Sequence, residues 1–460
     1  MSYRSKVAVV YLLGFFIDLI TMFIANVAYP AIAHSLGASV AGLAWVSNGY
    51  IMGLTLAIPL SAWLTQRAGA RRVFLLSLAL FTLACAAAGF AGSLTALVFW
   101  RVVQGAGGGL LIPVGQALAW RLYAPHERAK IASAVMLVGL LAPALSPAAG
   151  GLLITALGWR GVFFASLPLA LATLALAWRW LRREAPADRS APPDAAGLAL
   201  GCGALFLLLF GLTRLSDSHA TGLAALLLLA GGTLLALFAR RCRKRAAPAL
   251  NLNLLADPLL RFSMAVYQAV PGVFIGINLV AMPWLQNSLG LTPGAAGMLM
   301  MPWSLGSFLA ICLTGKTFNA LGPGPLIMAG CLLQALGIAL LTQIERGEQQ
   351  LALAGAFALM GVGGSLCSSA AQSSAFLNTP NTALPDAAAL WNINRQLSFC
   401  FGVALFTLLL DQFCAHVAPA QAYRWTFWCA ALATLLPLPL CFRLDNRAVK
   451  LRLVPEQETP

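Results

Sequence analysis

Gly105-Ala106-Gly107-Gly108-Gly109-Leu110, with Gln116 one and a half turns on, returns as Gly361-Val362-Gly363-Gly364-Ser365-Leu366 with Gln372 following. The pairs Gly105/Gly361, Gly107/Gly363, Gly108/Gly364, Leu110/Leu366 and Gln116/Gln372 share one offset of 256 residues. Both stretches sit inside long apolar runs. Glycine at this density weakens a helix in water, whereas between helices in lipid it lets backbones approach closely. A constant offset across so long a distance points to two parallel repeats of a helical bundle.

Composition outside these stretches agrees. Of 460 residues 60% are hydrophobic and only 9% charged, and the mean hydropathy is +0.83, where a globular domain carries about 25% charged residues. So few charges cannot cover a water-facing surface, which excludes soluble enzymes, disordered tails and collagen-like chains and leaves a multi-span all-α membrane protein. The net charge of +15, from 29 Lys+Arg against 14 Asp+Glu, reads as basic loops on one side of a bilayer, with the lipid rather than nucleic acid as partner. Arg4 and Lys6 before an apolar run, and Ala31-Ile32-Ala33 after it, mimic a secretory signal. The run is too long for one and carries Asp18 in its middle, so it is read as a retained first span. Ten cysteines stand singly, without a C-x-x-C pair or a Cys/His cluster. They are read as packing residues, and no metal site is expected.

Apolar segments fall near 8–30, 44–65, 73–92, 96–119, 131–156, 161–178, 196–213, 222–239, 263–285, 295–315, 325–343, 350–374, 388–410 and 424–441, which predicts fourteen spans. Loop charges test the count, because one missed span would scramble the alternation. With the N-terminus inside, about 23 of the 29 Lys and Arg residues fall in cytoplasmic segments. Arg160, Arg214, Arg346 and Arg424 fall outside, and Arg101 and Arg395 lie within spans. That bias predicts an even span number with both termini cytoplasmic. The seventh and eighth spans, bracketed by the longest connections, carry little besides Leu, Ala and Gly. The predicted organisation is a six-helix bundle over 1–180, an inserted pair with its linkers over 181–262, a second six-helix bundle over 263–441, and a cytoplasmic tail over 442–460.

Several motifs lie in order along this frame. Asp18 precedes Asn26-Val27-Ala28-Tyr29-Pro30-Ala31-Ile32 in the first span, and Leu64-Thr65-Gln66-Arg67-Ala68-Gly69-Ala70-Arg71-Arg72 follows the second. Arg101-Val102-Val103-Gln104-Gly105 opens the fourth; Gly139, Pro143, Pro147, Gly150 and Gly151 punctuate the fifth. Trp159-Arg160, Leu285-Gln286, Pro293, Gly297 to Pro302 and Asn394-Arg395-Gln396-Leu397 follow. In this set and order the chain resembles the major facilitator superfamily, specifically its fourteen-helix drug:proton antiporters of the EmrB/QacA-like type. The resemblance implies two six-helix bundles with two inserted helices and alternating access, and a multidrug efflux antiporter of the bacterial inner membrane, driven by protons without a cofactor and working as a monomer. It also implies a coupling role for Arg101, a gating role for the loop Gln66, Arg67, Gly69, Arg71 and Arg72, and a leak-proof seam along the fifth span. Two positions depart from the pattern. Gln66 stands where the loop usually has Asp, and Asn319 stands in the second half's counterpart where an acid is expected. In the family that acid helps hold the cytoplasmic side closed; an amide there offers only a hydrogen bond.

Elementary electrostatics ranks the intramembrane groups. Asp18 is the one acid placed deep in a span, where a charge costs at least about 2.5–3.5 kcal/mol, so it must face a cavity or be protonated part of the time. Alternating between two aqueous sides, such a group carries a proton; the competing reading is a structural Asp bonded to a neighbouring helix. Arg101 cannot readily lose its charge and is placed to act on a nearby carboxylate or to serve as a structural, snorkelling residue. Arg395 is placed near the cytoplasmic end of its span. Polar and aromatic residues at middle depth are the candidate contacts for a small-molecule substrate: Asn26, Asn48, Tyr50, Gln116, Tyr267, Gln268, Asn278, Trp303, Gln334 and Gln372. Trp303 and Tyr267 suit planar or cationic compounds, although packing and interfacial anchoring more often explain a single aromatic. His34, His126, His219 and His416 are scattered, which argues against a membrane enzyme. A dedicated metabolite or siderophore exporter, an uptake symporter of the same fold, and a passive channel are the remaining alternatives.

Overall fold

A computed structural model describes residues 1–37, 40–182, 194–215, 221–245 and 248–453. Pro186, Pro192 and Pro193 of the first long linker lie outside these, as do the side chains of Asn26, Pro147 and Pro293. Every regular element among the described residues is helical. The first half comprises α1 (Tyr3–Val27), α2 (Tyr29–Leu36), α3 (Val40–Ala68), α4 (Ala70–Gly89), α5 (Leu94–Trp120), α6 (Arg128–Phe164) and α7 (Leu167–Trp180). Next come α8 (Ala195–Leu215) and α9 (Thr221–Lys244). The second half holds α10 (Pro258–Tyr267), α11 (Val273–Pro283), α12 (Pro293–Met298), α13 (Met300–Leu321), α14 (Pro323–Leu341), α15 (Gln350–Ser374), α16 (Leu384–Cys414), α17 (Pro419–Leu435), α18 (Leu438–Arg443) and α19 (Asn446–Leu451). Helices suit lipid because every backbone group must be paired within the segment. Their ends are closed by side chains: Ser93 accepts from the Ala96 N–H, Asp257 from Leu259 and Thr292 from Ala295.

Twelve helical stretches among the described residues are long and apolar enough to cross a membrane, so the protein is a multi-pass membrane protein. The expected fourteen are not all recovered on apolarity and length. Absent from the twelve is α3, which is long enough at 29 residues but carries Asn48, Thr55, Ser61 and Thr65. Residues 149–180 count as one stretch, although Gly158, with φ 70°, breaks the helical path inside it. That break falls where the sequence separated two spans. α6 stays helical through Gly139 to Gly151. Gly139 and Gly151 have open space beside them, and Gly150 packs against Ile24 and Val27 of α1. Only glycine adopts positive φ without strain, so the chain turns at Gly158. In the second half, π-turns at Gln268–Gly272 and Trp284–Ser288 absorb Pro271 and Pro283, whose missing N–H interrupts an α-helix.

The repeat is visible in the packing. A Cβ on Gly105 would fall on the carbonyl oxygen of Tyr50 in α3, and one on Gly361 on that of Trp303 in α13. Gly53 and Gly109 extend the first seam, meeting the carbonyls of Val102 and Leu54. Equivalent helix pairs in the two halves are therefore locked backbone to backbone by small residues.

Short contacts define two faces of the molecule. One, the terminal face, holds Arg4 on Glu127 (2.6 Å), Asn446 on the Leu321 carbonyl (2.8 Å) and Asn378 on Asp257 (2.8 Å). The other, the far face, holds Arg160 on the Ala91 carbonyl (3.1 Å) and Arg424 on Glu345 (2.5 Å). α8 packs on α3 and on α16, and α9 packs on α8, so the inserted pair leans on both halves. Its base is tied by Asp194, which is buried, receives Arg241 at 2.7 Å and Arg245 at 3.4 Å, and accepts the Gly197 N–H at 3.1 Å. Burial pushes the Asp194 carboxyl up, but the Arg241 and Gly197 hydrogen bonds outweigh it and hold the group below its ordinary value. A depressed carboxyl contributes its stability above the ordinary range and loses it only as pH falls through the lowered value. Asp194→Ala is therefore expected to lose about 1–2 kcal/mol, as for a lost helix cap. Thermal unfolding in detergent at pH 7 should drop by a few degrees, and this difference should shrink on acidification. An unchanged midpoint at pH 7 would remove Asp194 from the account.

Candidate functional site

Asp18 lies inside α1 with 1% exposure. α3 brings Tyr50, whose hydroxyl donates to Asp18 Oδ1. α5 brings Gly108, where a Cβ would coincide with that same oxygen, so the glycine run is the notch that admits the carboxylate. Seven residues before it, Arg101 is fully buried with its guanidinium 4.3 Å from the centre of the Tyr50 ring. It donates from Nε to the Val46 carbonyl at 3.0 Å and from Nη1 to Gln104 Oε1 at 2.9 Å.

Tyr50 thus stands between acid and base, its edge on the carboxylate and its face on the guanidinium. No described ion pair joins Asp18 to Arg101. A buried cation over an aromatic face gains about 2 kcal/mol, less than desolvation costs, so the site is held in place by its packing. Three buried atoms here have no hydrogen-bond partner: Asp18 Oδ2, Arg101 Nη2 and Gln104 Nε2. A protonated carboxyl keeps the Tyr50 bond and carries its hydrogen on Oδ2. An ionised one calls for a second donor; unpartnered donors lie on Arg101 and Gln104 of α5, and on Arg395 of α16, whose guanidinium faces α1. A carboxyl so placed has a partner for its protonated form and an open acceptor for its ionised form.

Apolar packing differs between the two faces. Toward the terminal face the halves share one apolar cluster, whereas toward the far face their residues divide into two, one around Ile24, Val46, Leu97 and Phe163 and the other around Ile277, Trp284, Phe357 and Phe427. The terminal closure is a chain of edge-to-face rings: Tyr11 to Trp120 at 6.3 Å, Trp120 to Phe376 at 6.0 Å, Phe376 to Trp391 at 6.0 Å and Trp391 to Tyr267 at 5.0 Å. It crosses from one half to the other at Trp120 and Phe376. Polar bonds cross beside it, from Asn392 to Gln116 (2.8 Å), Arg128 to the Phe376 carbonyl (2.5 Å), Asn319 to the His126 carbonyl (2.6 Å) and Gln66 to Asp386 (2.9 Å).

The remaining sequence candidates separate accordingly. Gln116, Tyr267 and Gln372 are buried at the closed end. Gln334 is fully buried and donates to the Val270 carbonyl at 3.0 Å, and Gln268 ties α10 to Asn394 at 3.0 Å. Asn48 is half-buried on α3. Asn278 is half-buried against the Met300 sulfur at 3.5 Å, and Trp303 stacks on Phe274 at 5.0 Å, 5° from parallel. In the loop after α3, Arg67 faces the Trp63 ring, Arg71 donates to the Trp178 carbonyl at 2.8 Å, Arg72 is exposed and Gly69 has φ 83°. Pro143 is half-buried within α6. Arg395 lies eleven residues into α16, which starts at Leu384, and its guanidinium faces the Phe15 ring of α1 at 5.6 Å. Trp120, Phe376, Trp391, Asn392 and Asp386 were missed. Their sequence signal is only that of aromatic and polar residues near span ends, which interfacial anchoring also explains.

A family model described as Major Facilitator Superfamily matches residues 11–239 and 264–460. The chain belongs to the major facilitator superfamily. It is a transporter rather than an enzyme, one whose family moves small molecules across membranes. It is 32% identical over 456 residues to the putative multidrug resistance protein MdtD of Cronobacter sakazakii, covering 94% of this chain and 93% of that one. To the drug efflux pump JefA of Mycobacterium tuberculosis it is 29% identical over 415 residues, covering 88% and 80%. Among solved structures, the proton:xylose symporter XylE bound to 6-bromo-6-deoxy-D-glucose aligns with a TM-score of 0.64 at 17% identity, covering 95% of each chain. That likeness speaks for the fold.

Proposed function

We propose that this protein is a proton-coupled efflux antiporter that exports small hydrophobic or cationic compounds by alternating access. One observation carries the reading: a carboxyl buried in mid-span, bonded to Tyr50 and linked through its ring to Arg101, with one oxygen unpartnered. The drug-efflux names of its relatives support the direction of transport and the substrate class.

The terminal face is cytoplasmic on this reading, since most basic residues lie there, and the membrane is the bacterial inner one. Fourteen spans are supported by the length of α3, which returns the chain across the bundle, and by the turn at Gly158. The unit is a monomer, with the halves 1–180 and 263–441 rocking about the site.

One proton entering supplies about 2.3 kcal/mol per 100 mV, equivalent to roughly a 50-fold gradient of a neutral compound at about 1.4 kcal/mol per decade. In proteoliposomes with an acidic interior and a planar cationic dye outside, the imposed pH gradient should drive dye inward to accumulation, and a protonophore that collapses the gradient should abolish it. Dye flux that ignores the gradient would identify a passive pathway instead.

A further inference from the structure

Gln66, just after the second predicted span, is an amide where an acid is usual in the loop it resembles, and the acid turns out to be across the interface. Asp386 lies in the first turn of α16 with 5% exposure. Its Oδ2 accepts from Gln66 Nε2 at 2.9 Å and its Oδ1 from the backbone N–H of Asn251 at 3.0 Å. Three chain segments therefore converge on one carboxylate: the end of α3 from the first half, the linker after the inserted pair, and the start of α16 from the second half. Both donors are neutral, and the N-terminus of α16 supplies the positive end of a helix dipole.

We infer that Asp386 is the positioning residue that holds the terminal face closed, with Gln66 as its partner, so that the acid of the latch sits on the second half instead of the first. Asn251 lies just before α10 and travels with the second half. When the terminal face opens, the Gln66 bond breaks while the Asn251 bond persists, and water entering the gap replaces the amide. Gln66 supplies no charge, which makes this contact easier to break than a charge pair. The inference rests on alternating access but on neither the transported compound nor the coupling ion.

A charge swap separates this role from mere packing. Hydrogen–deuterium exchange of the full chain in lipid nanodiscs, followed in peptides covering 60–72 and 376–392, reads the opening of the terminal face without any substrate. Gln66→Asp sets two carboxylates against each other and should raise exchange there about tenfold, since like charges act as a repulsive element. Asp386→Asn keeps one acceptor and should raise it less, about threefold. The double variant Gln66→Asp/Asp386→Asn restores one acid and one amide and should return exchange to within about twofold of wild type. Exchange over 331–341, distant from the junction, should stay constant throughout. Should Gln66→Asp raise exchange in that segment too, Gln66→Leu removes the donor without adding charge and should still give about threefold at the terminal face. A double variant as open as Gln66→Asp, or single variants indistinguishable from wild type, would overturn the assignment whether or not dye transport follows a pH gradient.

Discussion

Asn in place of Asp18 is expected to uncouple transport while leaving the fold and much of the substrate binding in place. The amide oxygen can still accept the Tyr50 hydroxyl, and the side chain keeps its shape in the notch beside Gly108. What is lost is the ability to exist in two charge states. With no ionised form, Arg101 Nη2 and Gln104 Nε2 have no carboxylate to capture, and the proton gradient has nothing to act on. Accumulation in proteoliposomes should therefore fall from up to about 50-fold per 100 mV toward equality of the two sides. Dye affinity by fluorescence titration should change by less than about tenfold, one decade corresponding to about 1.4 kcal/mol. Undiminished gradient-driven accumulation in the variant would sink the assignment of Asp18 as proton carrier. A loss of monodisperse protein would point to the competing, structural reading of the same residue.

Gly105→Ala is expected to damage transport far more than stability. The new methyl would meet the Tyr50 carbonyl in a seam where Gly53 and Gly109 already set α3 and α5 backbone to backbone. Neither backbone can yield as a side-chain tip does, so the helices must part. Overpacking of this kind costs roughly 1–3 kcal/mol, a shift of a few degrees in thermal unfolding. The same displacement moves Tyr50 relative to both Asp18 and Arg101. A misplacement of about 1 Å in a reacting constellation can cost on the order of 100-fold, and gradient-driven dye transport should fall accordingly. Gly232→Ala is the control, because that glycine in α9 has nothing within 4 Å of an added Cβ. Wild-type transport in Gly105→Ala would show that the seam is slack enough to absorb a methyl and that the Tyr50 geometry does not depend on it.

Much of the fold was legible because apolarity is a local property. The repeat at Gly105 and Gly361, the break near Gly158 and the two halves all follow from how residues partition between water and lipid. Span counting was less secure at α3, whose Asn48, Thr55 and Ser61 dilute its hydropathy because they face protein rather than lipid. The candidate site was legible in part. Asp18 and Arg101 stand out because a charge in a span must have a use or a partner. Their relation did not stand out, since Tyr50 looks like any aromatic that packs or binds. Gln116 and Tyr267 look like cavity residues in a list of polar and aromatic positions, yet they are packed into the closed end.

The sequence by itself determined that this chain lives in a bilayer, that it is built twice over, and that one acid lies deep in its first half with one arginine inside a neighbouring span. Those facts depend on what each residue is and on its distance from its neighbours along the chain. Only the tertiary structure decided that Tyr50 separates Asp18 from Arg101, that Asp386 answers Gln66 from 320 residues away, and that an aromatic chain closes the terminal face. These depend on how helices rotate and lean on one another. In lipid that is settled by close packing at small residues, where a single methyl group changes which side chains can meet.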